Sequence, residues 1–113
     1  MQTAHAGVDA VFRALADPTR RMVLERLSRG PASVTELASP FSLALPSFLQ
    51  HMKVLEEGGL VRSKKQGRVR TYQLEAKRLQ LAERWLARQR SLWEKRLDQL
   101  DQYLLSMKEN EPS

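Results

Sequence analysis

The chain has 113 residues, 42% of them hydrophobic and 28% charged, which is enough for one compact domain with a core and too apolar for wholesale disorder. A net charge of +6 and a pI near 10.2 point to a polyanionic partner, nucleic acid before an anionic membrane surface. The lack of cysteine excludes disulfides and thiolate metal sites. It also suits a reducing cytosol. The N-terminus has neither the basic start nor the apolar run of a signal peptide, and no stretch approaches about 18 apolar residues. A cytoplasmic protein is expected.

Residues 1–7 read as a loose end. Val8, Val11, Phe12 and Leu15 then repeat at three, one and three, giving a short amphipathic helix over about 7–15. Asp17-Pro18 restarts the helix, aspartate capping free N–H groups and proline fitting the first helical position. This second helix runs to about Arg29, burying Met22, Val23, Leu24 and Leu27, and Gly30-Pro31 ends it. Ser33 and Glu36 have the spacing of a capping box, so a short third helix is expected over 34–39.

The stretch 44–59, ALPSFLQHMKVLEEGG, is the fourth helix. Phe48, Met52 and Leu55 step by four and three, the spacing of a core face, while Ser47, Gln50, His51 and Lys53 fall largely elsewhere. Pro46 suits the first turn and Gly58-Gly59 is a strong stop. Two β-like runs around Gly67 follow in 60–74, LVRSKKQGRVRTYQL, carrying Arg62, Lys64, Lys65, Arg68 and Arg70.

From about Ala76 the pattern changes. Leu79, Ala82, Leu86, Gln89, Trp93, Leu97, Leu100, Leu104 and Met107 step by three and four over some eight turns, with one extra four-residue step. A helix this long outruns what so small a domain can cover, so its apolar stripe asks for a second copy. The expected organisation is a winged helix-turn-helix domain over 1–75 that includes the first helix, a dimerisation helix over 76–108 belonging to the same compact unit, and a disordered tail over 109–113. Numbered along the chain, the fold is mainly α with a small β-hairpin, α1-α2-α3-α4-β-β-α5.

Helix three, a tight turn and helix four form the helix-turn-helix, whose second helix offers its first residues to base edges in the major groove. Ser47 and Gln50 are the candidates for direct readout, glutamine having the paired donor and acceptor that match adenine. His51 and Lys53 are placed for phosphate. In the hairpin, Arg62, Lys64, Lys65, Gln66, Arg68 and Arg70 form a basic wing suited to phosphates or a minor groove. The competing use of such a strand is as a charged protective edge. No catalytic constellation is present: His5 and His51 stand alone, and no nucleophile-elbow, phosphate-loop or zinc-protease motif occurs. Neither an enzyme nor a cofactor is expected.

Three blocks carry a specific resemblance: D-P-T-R-R at 17–21, H-M-K-V-L-E-E-G-G-L-V at 51–61, and G-R-V-R-T-Y-Q-L at 67–74. Together, over about 8–74, they resemble the ArsR-type winged helix-turn-helix repressors of bacteria. The W-L-A-R-Q-R and W-E-K-R-L-D segments further on look like a metal-independent branch. The resemblance implies a homodimer built from the first and last helices, here Val8, Val11 and Phe12 with Leu86, Trp93, Leu97, Leu100 and Leu104. It also implies two recognition helices in successive major grooves of a palindromic operator, and repression by promoter blocking. Metal-sensing members carry cysteines in the third helix or His/Asp clusters on the last one. This chain has Val34 to Ser39 in the first place and no histidine over 79–107, so no metal site is expected. Where many relatives have serine, helix four has Ala44 and Leu49, and the operator cannot be borrowed from them. The rival readings are a winged helix used for protein contact and, more weakly, a basic membrane-surface protein. No inducer pocket is evident.

Overall fold

The computed structural model describes residues 6–110. His5 and most of the two expected loose ends lie outside the described residues; where described, Ala6 and Gly7 belong to the first helix and Glu109 to the last. The elements are α1 Ala6–Leu15, α2 Pro18–Leu27, β1 Ala32–Ser33, α3 Val34–Ala38, α4 Leu45–Glu57, β2 Val61–Gln66, β3 Val69–Leu74, a 3-10 turn Ala76–Arg78, and α5 Leu79–Glu109. The described residues fall into two compact units, divided after Ala82.

Local chemistry sets the helix ends. Asp17 caps α2 by accepting the Arg20 N–H at 3.2 Å, with Pro18 in the first turn. Ser33 and Glu36 close the expected capping box on α3, the Glu36 N–H donating to Ser33 Oγ and the Ser33 N–H to Glu36 Oε1. Helix α4 stops in a Schellman turn. The Leu60 N–H reaches Leu55 O and the Gly59 N–H reaches Glu56 O, with Gly59 in the left-handed region at φ 71°. A side chain at Gly59 would also collide with Arg78.

Three strands form the sheet, in the order β1-β3-β2, all antiparallel. The two-residue β1 adds a strand to the expected hairpin, Ala32 pairing Tyr72 and Ser33 pairing Thr71. In the hairpin Val61 faces Leu74, Ser63 faces Tyr72 and Lys65 faces Arg70. Val61 and Tyr72 are both buried in the core.

Phe48, Met52 and Leu55 are fully buried, as the spacing requires, with Val11, Val23, Leu27, Leu37, Leu60 and Tyr72 around them. Leu79 and Leu81 pack against this core and Ala82 is part of it, so the first unit closes with the opening turn of α5. Met22 departs from expectation: it is 52% exposed, because Val23 and Leu27, four apart, take the inward row of α2 and leave Met22 about a hundred degrees round the helix.

Candidate nucleic-acid interface

The fourth helix is positioned by its buried row. With Phe48, Met52 and Leu55 fixed inside, Ser47, Gln50 and Lys53 stand exposed along the other side. Ala44, at the N-cap, gives no side-chain bond to the helix start. The turn before it is braced by Phe41, whose ring lies 5.8 Å from that of Phe48. Helix α3 is in turn held to α2 by Arg26 and Glu36, 3.8 Å apart.

His51 corrects the phosphate expectation. It is half-buried and turned to α2, its Nδ1 lying 3.0 Å from Arg20 NH1 and 3.8 Å from Asp17 Oδ2. A guanidinium only donates, so Nδ1 accepts. The same arginine donates from Nε to Ala14 O at 3.0 Å and from NH2 to Arg13 O at 2.8 Å. Arg20 therefore joins the end of α1, the start of α2 and the middle of α4. Partial desolvation acts to raise the Asp17 carboxyl, but the Arg20 N–H bond, the nearby Arg20 guanidinium and the Thr19 N–H together outweigh it and hold the group below its ordinary value. Glu36 is likewise lowered, chiefly by the bond from the Ser33 backbone.

On the wing, the register divides the cations. Lys65 and Arg70 are directly opposed on one face, while Arg62 and Lys64 point to the other. Like charges opposed across a strand pair are destabilising. Gly67, at φ 61°, makes the turn that carries Gln66 and Arg68 to the tip. All six expected wing residues are exposed. Among the described residues, Arg62 pairs with Glu75 at 3.3 Å and Arg70 donates to Ser63 Oγ at 2.8 Å.

The residues expected at a dimer contact fall into two groups. Val11 is wholly buried in the chain's own core and Val8 nearly so, leaving no surface of Val11 for a partner. Phe12 is half-buried against that core. Leu86, Trp93, Leu97, Leu100 and Leu104 are 49–60% exposed and step by seven, four, three and four along one side of α5. Leu45 and Leu49, two exposed leucines at the start of α4, were not among the expected contacts; their position off the 48/52/55 row was the available signal. Among the described residues, no three His, Cys, Asp or Glu side chains are grouped to hold a metal, and no helix is long and apolar enough to cross a membrane.

Comparison with known proteins agrees with this architecture. Residues 15–64 match the model of a helix-turn-helix domain. The HTH-type transcriptional regulator Rv2034 of Mycobacterium tuberculosis is 45% identical over 67 residues, 59% of this chain and 63% of its own; the chain thus spans under two thirds of that relative. The transcriptional repressor SdpR of Bacillus subtilis is 30% identical over 67% of this chain and 84% of its own. Among solved structures, an ArsR family transcriptional regulator is 54% identical and superposes with a TM-score of 0.77 over 83% of this chain and 97% of its own. An ArsR-like transcriptional regulator from Rhodococcus sp. RHA1 is 32% identical, with a TM-score of 0.73 over 88% and 93% of the two chains. The order of elements, the residues that cap and fill them, and these relatives agree: the chain belongs to the ArsR family of winged helix-turn-helix transcriptional regulators.

Proposed function

We propose that the protein is a homodimeric, sequence-specific DNA-binding repressor of the cytoplasm. The observation that carries this reading is the exposed side of α4, with Ser47, Gln50 and Lys53 set outward by the fully buried Phe48, Met52 and Leu55, on a helix that packs against β2 of the basic wing. Helix α4 enters the major groove, Ser47 and Gln50 meeting base edges and Lys53 a phosphate. Lys64, Lys65, Gln66, Arg68 and Arg70 lie on phosphates or in a minor groove, with Arg62 in reserve behind its bond to Glu75. The repulsion between Lys65 and Arg70 is relieved when a phosphate sits between them. His51 acts from behind, holding α4 to α2.

One such module has too little surface and charge for tight specific binding, so two are needed, spaced about one helical turn or roughly 34 Å apart on a palindromic operator. The exposed row Leu86, Trp93, Leu97, Leu100 and Leu104 is the surface that a second copy covers, with Phe12 contributing from α1. Occupying an operator in this way blocks transcription, in keeping with the name of SdpR, a transcriptional repressor.

Fluorescence anisotropy with duplex DNA from upstream of the gene, read across a salt series with shuffled duplex as competitor, tests the reading. Binding that survives the competitor and falls steeply with salt supports it. Equal weak binding to both duplexes would assign the winged helix to another partner.

A further inference from the structure

Leu45 and Leu49 lie on the first two turns of α4 and are 54% and 39% exposed. The core does not require this. Phe48, Met52 and Leu55 fill the inward side completely, so the two leucines form a separate row that continues, four residues on, to exposed Lys53. Beside that row run Pro46 and Gln50. A helix meant to offer only hydrogen bonds to DNA gains nothing from two leucines in water, each of which costs transfer free energy until something apolar covers it.

In the major groove the one apolar group a base presents is the C5-methyl of thymine. We infer that Leu49 and Leu45 are specificity-determining residues that read thymine methyl groups, with Gln50 beside them pairing to adenine. Each operator half-site then carries A·T pairs beneath the N-terminal half of α4. The leucines also discriminate by exclusion, because they cannot answer the cytosine amino group and would leave it desolvated and unpaired. The inference rests on the DNA-binding reading and names the bases that reading leaves open. A protein partner on the same leucines is the alternative occupant. The neighbours of the row argue against it: Gln50 is suited to base edges, Lys53 to a phosphate, and the sheet against which α4 packs carries a cationic hairpin.

The test begins with selection from a random-sequence duplex pool by the full-length protein. The selected duplex is then synthesised with each thymine replaced in turn by deoxyuridine, which removes only the methyl group. At one or two positions in each half-site, the replacement should weaken binding about fourfold, and about fifteenfold when both half-sites are altered together, the worth of about 0.8 kcal/mol per methyl. L49A, with L45A for the outer position, should bring the thymine-to-uracil ratio at those positions close to one. Their unfolding midpoints should match the parent, since both side chains are exposed. Equal binding of thymine and uracil duplexes by the parent would overturn the inference, as would a ratio that persists in both variants. No enrichment of any duplex, even at low salt, would overturn the DNA-binding reading itself.

Discussion

Replacing Arg20 by alanine removes three hydrogen bonds that no other residue can supply. Two run to the carbonyls of Arg13 and Ala14 in the last turn of α1, at 2.8 and 3.0 Å, and the third runs to His51 on α4 at 3.0 Å. The Arg13 bond is exposed, and water can replace it at a cost of about 0.5 kcal/mol, whereas the two part-buried bonds are worth about 1–1.5 kcal/mol each. The sum is on the order of 3 kcal/mol, a large share of the roughly 5–15 kcal/mol that holds a typical domain. In urea, with a slope of about 2 kcal/mol per molar, the midpoint should fall by about 1.5 M, measured at one fixed protein concentration because association adds to apparent stability. R20K should recover only part of the loss, since an ammonium cannot span three acceptors in a fixed fork. A double-mutant cycle with H51A should show coupling of about 1 kcal/mol. A loss below about 1 kcal/mol in R20A, or additive effects with H51A, would refute the account of Arg20 as the tie between α1, α2 and α4.

Three further outcomes are expected. In the proposed homodimer L97D introduces a charge twice into the contact and should weaken self-association at least about 100-fold, since each buried leucine is worth roughly 1.5–3 kcal/mol; sedimentation reads the change, and the secondary structure seen by circular dichroism should be unaltered, Leu97 being 60% exposed within the chain. K64A should weaken binding to all duplexes alike and lower the slope of log affinity against log salt by about 0.9 for each phosphate left without its lysine, so by about 1.8 for two copies. Folded Asp17 and Glu36 both titrate below their ordinary values of 3.8 and 4.5. Their stabilising contributions are therefore complete above about pH 5 and are lost as pH falls through the lowered folded values. Acid unfolding should begin in that window, and D17N and E36Q, which keep the capping geometry, should flatten the pH dependence of stability below about pH 5.

These helix ends were legible because each is written within a few residues of sequence: Asp17-Pro18, the Ser33/Glu36 pair three apart, and Gly58-Gly59. The α4 core row was legible for a similar reason, since Phe48, Met52 and Leu55 repeat at helical spacing. What escaped depends on contacts distant in the chain. Two residues, Ala32 and Ser33, are too few to show a strand's alternation, and β1 exists only because β3, far along the chain, pairs with it. His51 shares a helix with outward-facing Gln50 and Lys53, and nothing local reveals that Arg20 draws it inward. Met22 and Val23 are equally apolar neighbours, and only the packed partner decides which is buried. Val11 lies on the first helix, which the resemblance implies as a dimer contact, yet its apolar spacing serves the chain's own core equally well, and there it is found. Leu45 and Leu49 are apolar like any core leucine, and it is their exposure that marks them for contact with a ligand.

Hydroxyl-radical footprinting of the full-length protein on its selected duplex tests the central claim most directly. A dimer presenting two α4 helices predicts two protected patches, related by a dyad and centred about 34 Å apart on one face of the DNA, with further protection at the flanks from the wings. A single patch, or protection without symmetry, would contradict the paired-helix account.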